Sequence, residues 1–380
     1  MSLRVCHLGK YYPPAPGGIE THLQTLARAQ VDLGLDVRVL CLNHQSKPVA
    51  PENDHGVDVQ RFNDAFSVFE LKLCRELRHA IRRAHVDILH LHVPNPSMLL
   101  HLFAARPNVP LVVTYHSDIV KQRIRAALFR PIEHSVYRRV AKILTTTPLY
   151  AAGSEFLQSY VDRLEVLPMG LDLEPYLNPS EAHRAEAAAI SKKYPGPIWF
   201  SCGRLTYYKG MLTAIRALQH IAGTLIIIGS GQEEDPLQTE VRALKLTERV
   251  VFIGHVPTVQ DIIPYYLAAT ALLFPSNARS EAFGLVQVEA MASGCPVINT
   301  AIPHSGVPWV SPHEKTGLTV PVDDPKALSA AAQRLLDEPG LRDRFSEAAR
   351  DRVQAEFDHR VMAKRCVEMY ERTLAGIKRV

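Results

Sequence analysis

The stretch 198–221, IWFSCGRLTYYKGMLTAIRALQHI, reads as a strand, a polar turn and a helix in direct succession. Ile198 to Cys202 form a short apolar run closed by Gly203, and a helix is read from Lys209, in which Met211, Leu212, Ile215, Leu218 and Ile221 keep the three-to-four-residue spacing of one face. A strand that feeds a helix is half of a β-α-β unit, and the rest of the chain repeats the theme. Downstream come TLIIIGSG, VVFIG, TALLFPS, PVINT and GLTVP, then polar helices running to Val380. Upstream come RVCHL, GGIETHLQTLARAQVDL, VRVLCL, VDVQRF, FELKLCRELRHAIRRA, DILHLH, LVVTYH, KILTTT and LEVLP, with the charged segment FELKLCRELRHAIRRA read as helical. This alternation implies an α/β fold with parallel sheets. In the first helix Leu23, Leu26, Ala27 and Val31 form the apolar stripe, and Gly34 is placed for a left-handed cap.

Between Leu173 and Gly196 the pattern lapses into EPYLNPSEAHRAEAAAISKKYPG, read here as an interdomain linker with at most one polar helix. Two Rossmann-like domains result, 1–175 and 176–357, with 358–380 as a C-terminal helix. A chain of 380 residues, 47% hydrophobic and 22% charged, is long enough for two such cores. That composition excludes a disordered or fibrous protein. No run approaches the ~18 apolar residues of a membrane span, and the start MSLRVCHLGK has too short an apolar run for a signal peptide. The six cysteines, at 6, 41, 74, 202, 295 and 366, form no CxxC pair, which suits a reducing cytoplasm. A net charge of +4 gives no argument for nucleic acid. One segment is locally basic: Lys121, Arg123, Arg125, Arg130, Arg138, Arg139 and Lys142 face a single acid, Glu133, among Leu128, Phe129, Ile132, Val136 and Tyr137.

Parallel sheets bind ligands beyond the carboxyl ends of their strands, so the loops after strands carry the search for a site. The first is Tyr11 to Gly18, where Gly17 and Gly18 leave backbone N–H groups open to an anion at a helix N-terminus, or merely make a strand-to-helix turn. In the second, Arg204 and Lys209 flank a helix start, a placement that favours a diphosphate between them. The third, 280–294 (SEAFGLVQVEAMASG), holds Glu281 in a loop and Glu289 on a helix of about 284–293. At helical rise the two lie ~12 Å apart, enough to accept hydrogen bonds from two ends of one sugar diphosphate. Glu281 has the alternative of capping that helix. The fourth is histidine-rich. His90 and His92 share a sheet face but lack a third local ligand, and no DxD pair occurs, so no metal is assigned. His116 leaves a strand beside Asp118, which could orient it toward a sugar hydroxyl, unless the backbone satisfies the ring. Gly229-Ser230-Gly231 lacks the third glycine of a dinucleotide fingerprint and is followed by Glu233, Glu234 and Asp235, which argues against NAD.

The early GG loop, the HSD after a strand, GRLTYYKG, and EAFGLVQVE followed by AMASGCPVI together resemble the retaining GT-B glycosyltransferases of family 4. LPMGLD, FIGHV and EKTGLTVPVDDP extend the likeness along nearly the whole chain. The resemblance implies two domains facing a cleft, an N-terminal acceptor-binding and a C-terminal nucleotide-sugar-binding domain, the last helix crossing back to the first. It implies that Arg204 and Lys209 hold the donor diphosphate and that Glu289 grips the ribose. Glu281 would face the transferred sugar, with the backbone of Phe283, Gly284 and Leu285 meeting sugar hydroxyls and the terminal phosphate. Gly17 and Gly18 would close over the substrates, His116 would lie near the sugar, and the base would rest near His255 and Val256. Ala282, Met169 and Ser117 depart from the commoner family pattern. The charges of Arg204 and Lys209 would meet the leaving diphosphate without metal or other cofactor.

The stretch 302–311, IPHSGVPWVS, is similar to bacterial mannosyltransferases of polysaccharide and lipid-linked oligosaccharide assembly, implying GDP-mannose as donor and a glycan or lipid-linked acceptor. UDP-sugar transfer, a glycogen-type synthase, nucleotide-sugar epimerisation and non-catalytic nucleotide-sugar binding are the rivals. The basic segment 121–142 then has two readings, a face for an anionic inner-membrane surface and an ordinary surface helix.

Overall fold

The computed structural model describes residues 2–45, 49–63, 66–68, 71–118, 123–258 and 260–377. The chain divides into two compact units, Met1–Gly170 with His359–Val380, and Leu171–Asp358. The strands of the first unit are β1 (Arg4–Leu8), β2 (Asp36–Leu42), β3 (Glu52–Asp54), β4 (Val57–Phe62), β5 (Phe66–Val68), β6 (Leu71–Leu73), β7 (Ile88–Val93), β8 (Leu111–Tyr115), β9 (Val140–Thr145) and β10 (Leu164–Val166). Eight of them form one sheet in the order β10-β9-β8-β7-β1-β2-β4-β3, while β5 and β6 pair separately. Only the edge pair β3–β4 of that sheet is antiparallel. In the second unit β11 (Ile198–Cys202), β12 (Thr224–Ile228), β13 (Val250–Gly254), β14 (Ala271–Phe274), β15 (Val297–Thr300) and β16 (Gly317–Val320) form a parallel sheet in the order β13-β12-β11-β14-β15-β16.

Each order reverses direction once, between β1 and β7 in the first sheet and between β11 and β14 in the second. At such a switch point the loops leave their strands to opposite sides and open a crevice. The GG loop follows β1 and His92 ends β7; Arg204 and Lys209 follow β11 and Glu281 follows β14. Both central strands are buried along almost their whole length, as continuous apolar runs in a two-sided parallel sheet should be.

Three sequence readings change. The segment read as one helix, FELKLCRELRHAIRRA, contains β6 followed by a helix confined to Arg75–Arg82, begun by Cys74, whose sulfur accepts the Leu77 N–H at 3.4 Å. The stretch read as a linker folds into helices Glu174–Leu177 and Glu181–Lys193 belonging to the second unit. Its Ala-rich sequence hid it: only Ala187 and Ile190 of the longer helix are buried, and a Ser180–His183 capping box begins it. Lys209 lies in a 3-10 turn, Tyr207–Lys209, and the α-helix starts after it at Met211. Gly210 makes the break with φ 64°, and a Cβ there would sit 2.0 Å from the Pro275 carbonyl oxygen.

The first helix ends as its sequence implies. Gly34, at φ 86°, donates to Val31 while Leu35 donates to Gln30. The C-terminal helix His359–Ile377 buries Met362, Ala363, Cys366, Met369 and Tyr370 in a core shared with Val5, Leu26, Ile88, Val112 and Leu144 of the first unit. All six cysteines are buried and free.

Candidate functional site

In the second unit the two loops at the switch point meet through an ion pair. Lys209 Nζ lies 2.6 Å from Glu281 Oε2, and both residues are 9% exposed. Burial works against the ammonium, but the charge and hydrogen bond of Glu281 outweigh it and raise the Lys209 pKa above its ordinary value. The ammonium also lies 5.3 Å from the centre of the Phe274 ring. Ser276 Oγ donates to Glu281 at 3.3 Å. Glu281 is therefore no helix cap: the cap of the helix Leu285–Ala292 is Gly284, in the left-handed region at φ 81°. Arg204 is exposed, its guanidinium touching the Tyr208 hydroxyl at 3.4 Å.

Glu289 is buried on that helix and accepts a hydrogen bond from the Tyr266 hydroxyl at 2.8 Å. Burial raises its pKa, opposed by the Tyr266 bond and the Lys209 charge. The Lys209 charge thus bears on both glutamates, which the spacing along the sequence did not reveal. Phe283 is buried edge-on to Phe357, leaving only its backbone for a ligand. Leu285 and Gly284 open the helix there, and Val256 follows β13 in a partly exposed loop. Ser305 Oγ donates to the Glu281 carbonyl at 2.5 Å and the Gly306 N–H to the Ala282 carbonyl at 2.9 Å, so the stretch 302–311 braces the Glu281 loop. Gly229 packs its backbone on the first loop, a Cβ there falling 2.0 Å from the Gly203 carbonyl oxygen. The pair Gly229 and Gly231 serves this close approach.

The first unit is organised differently. Gly17 and Gly18 are exposed at the start of the helix Gly18–Asp32, with the Glu20 carboxylate beside them, 2.0 Å from where a Cβ on Gly17 would stand. His116 is buried, its Nε2 3.3 Å from His92 Nδ1. Its orientation does not come from Asp118, whose carboxylate instead accepts from the Tyr115 hydroxyl at 2.7 Å and from Ser154 Oγ at 2.8 Å. Five histidines gather at this switch point: His7, His22, His90, His92 and His116. His7 and His22 were missed because register, not spacing, brings them in: His7 of β1 stands opposite His90 of β7, and His22 comes from the first helix.

The polarity of this network follows from its ends. Gln30 Nε2 donates to the Tyr370 hydroxyl at 3.3 Å, which turns Gln30 Oε1 toward His7 Nε2 at 2.7 Å. His7 therefore carries its proton on Nε2 and accepts at Nδ1 from His92 Nε2 at 3.1 Å; His92 Nδ1 then accepts from His116 Nε2. The Tyr370 hydroxyl donates to His90 Nδ1 at 2.5 Å, and His90 Nε2 donates to Thr114 Oγ1 at 2.6 Å. His7, His90 and His92 are satisfied at both nitrogens as neutral rings, whereas both nitrogens of His22 and the Nδ1 of His116 have no partner; burial depresses the pKa of His7 to about 4 and of His116 to about 3.

The basic segment divides. Lys121 lies outside the described residues, as do the side chains of Arg123, Arg125 and Leu128. Arg130 lies over the Phe156 ring at 4.6 Å, Arg139 donates to the Pro107 carbonyl at 2.5 Å, and Lys142 pairs with Glu165 at 3.9 Å. Val136 and Tyr137 are buried in the unit. These five serve the fold, which favours the surface-helix reading for this half of the segment. Among the described residues no helix is long and apolar enough to cross a membrane.

Two largely parallel sheets, each with loops gathered at one switch point, are the architecture of the GT-B glycosyltransferases. The chain belongs to that class: residues 183–352 match the family model "Glycosyl transferases group 1" and residues 17–170 the model "Glycosyl transferase 4-like domain". It is 33% identical to the D-rhamnosyltransferase WbpZ of Pseudomonas aeruginosa, over 93% of this chain and 92% of that protein. It is 32% identical to the O-antigen chain mannosyltransferase C of Escherichia coli, over 95% and 96%. Among solved structures, a sucrose-phosphate synthase from Thermosynechococcus elongatus superposes with a TM-score of 0.80 at 23% identity, covering 98% of this chain and 100% of that one. At that identity the likeness speaks for the fold alone. The chain is a glycosyltransferase of glycan assembly.

Proposed function

We propose that the protein transfers mannose from GDP-mannose, with retention of anomeric configuration, to a glycan or lipid-linked glycan acceptor. The observation that carries the donor site is the buried Lys209–Glu281 pair at a strand switch point, with the exposed cation Arg204 on the same loop. A buried pair of this kind is exchangeable: an arriving diphosphate takes Lys209 and Arg204 as counter-charges, and the released Glu281 carboxylate accepts from a sugar hydroxyl. Glu289 takes a ribose hydroxyl, and the backbone at Phe283, Gly284 and Leu285 meets sugar and phosphate. Val256 borders the base, and Gly17 and Gly18 close over the donor.

As the sugar–phosphate bond breaks, charge grows on the leaving diphosphate, and Lys209 and Arg204 stabilise it without a divalent ion at that position. His116 is kept near the sugar on the family resemblance and is given no proton-transfer step, since burial holds its imidazole neutral. The mannose assignment is supported by the mannosyltransferase relative and by the bracing of the Glu281 loop by 302–311.

The D-rhamnosyltransferase relative supports a second reading, because D-rhamnose is mannose lacking its 6-hydroxyl. The two are separated by offering the purified chain GDP-mannose, a GDP-D-rhamnose donor and UDP-glucose with one mannan-type acceptor and identifying the product by mass and anomeric coupling. An α-mannosyl product from GDP-mannose supports the proposal; rhamnosyl transfer alone selects the second reading, and transfer from UDP-glucose alone discards both.

A further inference from the structure

Beyond the charged donor residues of the second unit, we propose that His22, His92 and His116, the last of which the family resemblance also places near the sugar, hold a single divalent transition-metal ion of the zinc type inside the first unit. One ring nitrogen from each of the three lies within 4.8 Å of the others. Their ring centres are 4.8 Å (His22 to His116), 5.8 Å (His22 to His92) and 5.6 Å (His92 to His116) apart. Zinc–nitrogen bonds of ~2.0–2.1 Å set rings on one tetrahedral ion ~5.2 Å apart centre to centre, with their nitrogens ~3.3 Å apart. His92 Nδ1 and His116 Nε2 already stand at 3.3 Å, so an ion can take the place of the proton between them once the His116 proton moves from Nε2 to Nδ1.

A second observation points to a ligand. Both nitrogens of His22 and the Nδ1 of His116 have no hydrogen-bond partner, although the residues are 2% and 6% exposed. Buried polar atoms of this kind are normally satisfied, and here unsatisfied imidazoles crowd one point. The remaining ring is fixed from behind. His92 donates its Nε2 proton to His7, which donates to Gln30, leaving His92 Nδ1 as a bare lone pair facing the other two rings. Such a relay is how a ligating histidine is usually held in its tautomer.

The donor chemistry selects the ion. Three neutral imidazoles suit zinc, nickel, copper or iron and not magnesium or calcium, which require oxygen. A second set, His7, His90 and His92, is equally compact, but its nitrogens are already matched: His90 between Tyr370 and Thr114, and His7 between Gln30 and His92. Lone pairs are left over only in the set containing His22.

The test uses the full chain without a histidine tag, stripped with a chelator and titrated with Co2+, whose visible absorption reports tetrahedral nitrogen ligation, then with Zn2+ to displace it. One ion per chain is expected. His22→Gln should reduce retention at least ~10-fold, and His7→Gln, which acts from behind His92, should weaken affinity ~10–100-fold. His90→Gln should bind as the wild type does. Far-ultraviolet circular dichroism certifies the fold of each variant, and His116→Gln replaces His22→Gln if the latter does not fold. A folded wild type that retains no ion overturns the proposal. Binding indifferent to His22, or lost equally in His90→Gln, overturns the assignment to this set.

Discussion

The two units place polar residues at equivalent points of similar sheets and treat burial in opposite ways. In Leu171–Asp358 the buried groups stay charged and pair, Lys209 with Glu281, while Glu289 shares the field of the same lysine. In the first unit the buried groups are imidazoles held neutral and joined end to end from Gln30 to His116. A charged pair can trade one partner for a charged ligand at little net cost, because each partner is already desolvated. A neutral chain offers lone pairs of fixed direction instead. The proposed donor site thus suits a phosphate that comes and goes, and the proposed histidine site a group that stays.

Lys209→Ala should give the largest effect and strikes the charged region alone. Removing one electrostatic contact to the leaving group is expected to lower turnover at least ~100-fold, measured as kcat with a saturating donor. Turnover within a few-fold of wild type would remove the exchange mechanism. Next comes Tyr370→Phe, which strikes the neutral region. It leaves His90 Nδ1 and the Gln30 amide without the hydroxyl that joins them, a loss of about 1–3 kcal/mol, read by urea denaturation. The donor KM should not change; if it does, the two regions are coupled and the contrast fails.

Glu289→Gln is the smallest and most discriminating. The folded state holds the Glu289 proton more tightly than the unfolded chain, whose carboxyl titrates near 4.5. Above that pH the unfolded state has released its proton first, so this residue costs stability progressively as pH rises toward its folded pKa. The neutral amide keeps an acceptor for Tyr266 and removes that cost. The variant should therefore melt higher than wild type at pH 7.5, with the advantage vanishing at pH 4 and below, while its donor KM rises. An unchanged melting profile would show that Glu289 is not strained by burial.

Much of this was legible in the sequence for a local reason. Gly203, Arg204, Lys209 and Gly210 sit in one loop, and Glu281 and Gly284 in another that opens the helix carrying Glu289, so the chain direction alone points to two strand ends. Parallel strands with continuous apolar runs also declare themselves. What stayed hidden depends on contacts distant in the chain. Tyr370 reaches His90 across 280 positions, and His7 meets His90 only through the pairing of β1 with β7. The helix Glu181–Lys193 was allowed only as one polar helix within a linker, because alanine faces give weak periodicity, and β6 escaped because its three residues lie near the start of a charged segment of helical composition. Asp118 was close to His116 in sequence, but three hydroxyls, of Tyr115, Tyr150 and Ser154, claim its carboxylate.

The central claim is that the Lys209–Glu281 pair opens to a diphosphate without a metal ion. Calorimetric titration of the chelator-treated chain with GDP, beside Lys209→Ala and with UDP and ADP as competitors, tests it most directly. The account predicts GDP binding that persists in excess EDTA, exceeds that of UDP and ADP, and falls at least ~10-fold in the variant, the factor that 1.4 kcal/mol of lost contact makes. GDP binding that requires added Mg2+, or that is indifferent to Lys209, would contradict it.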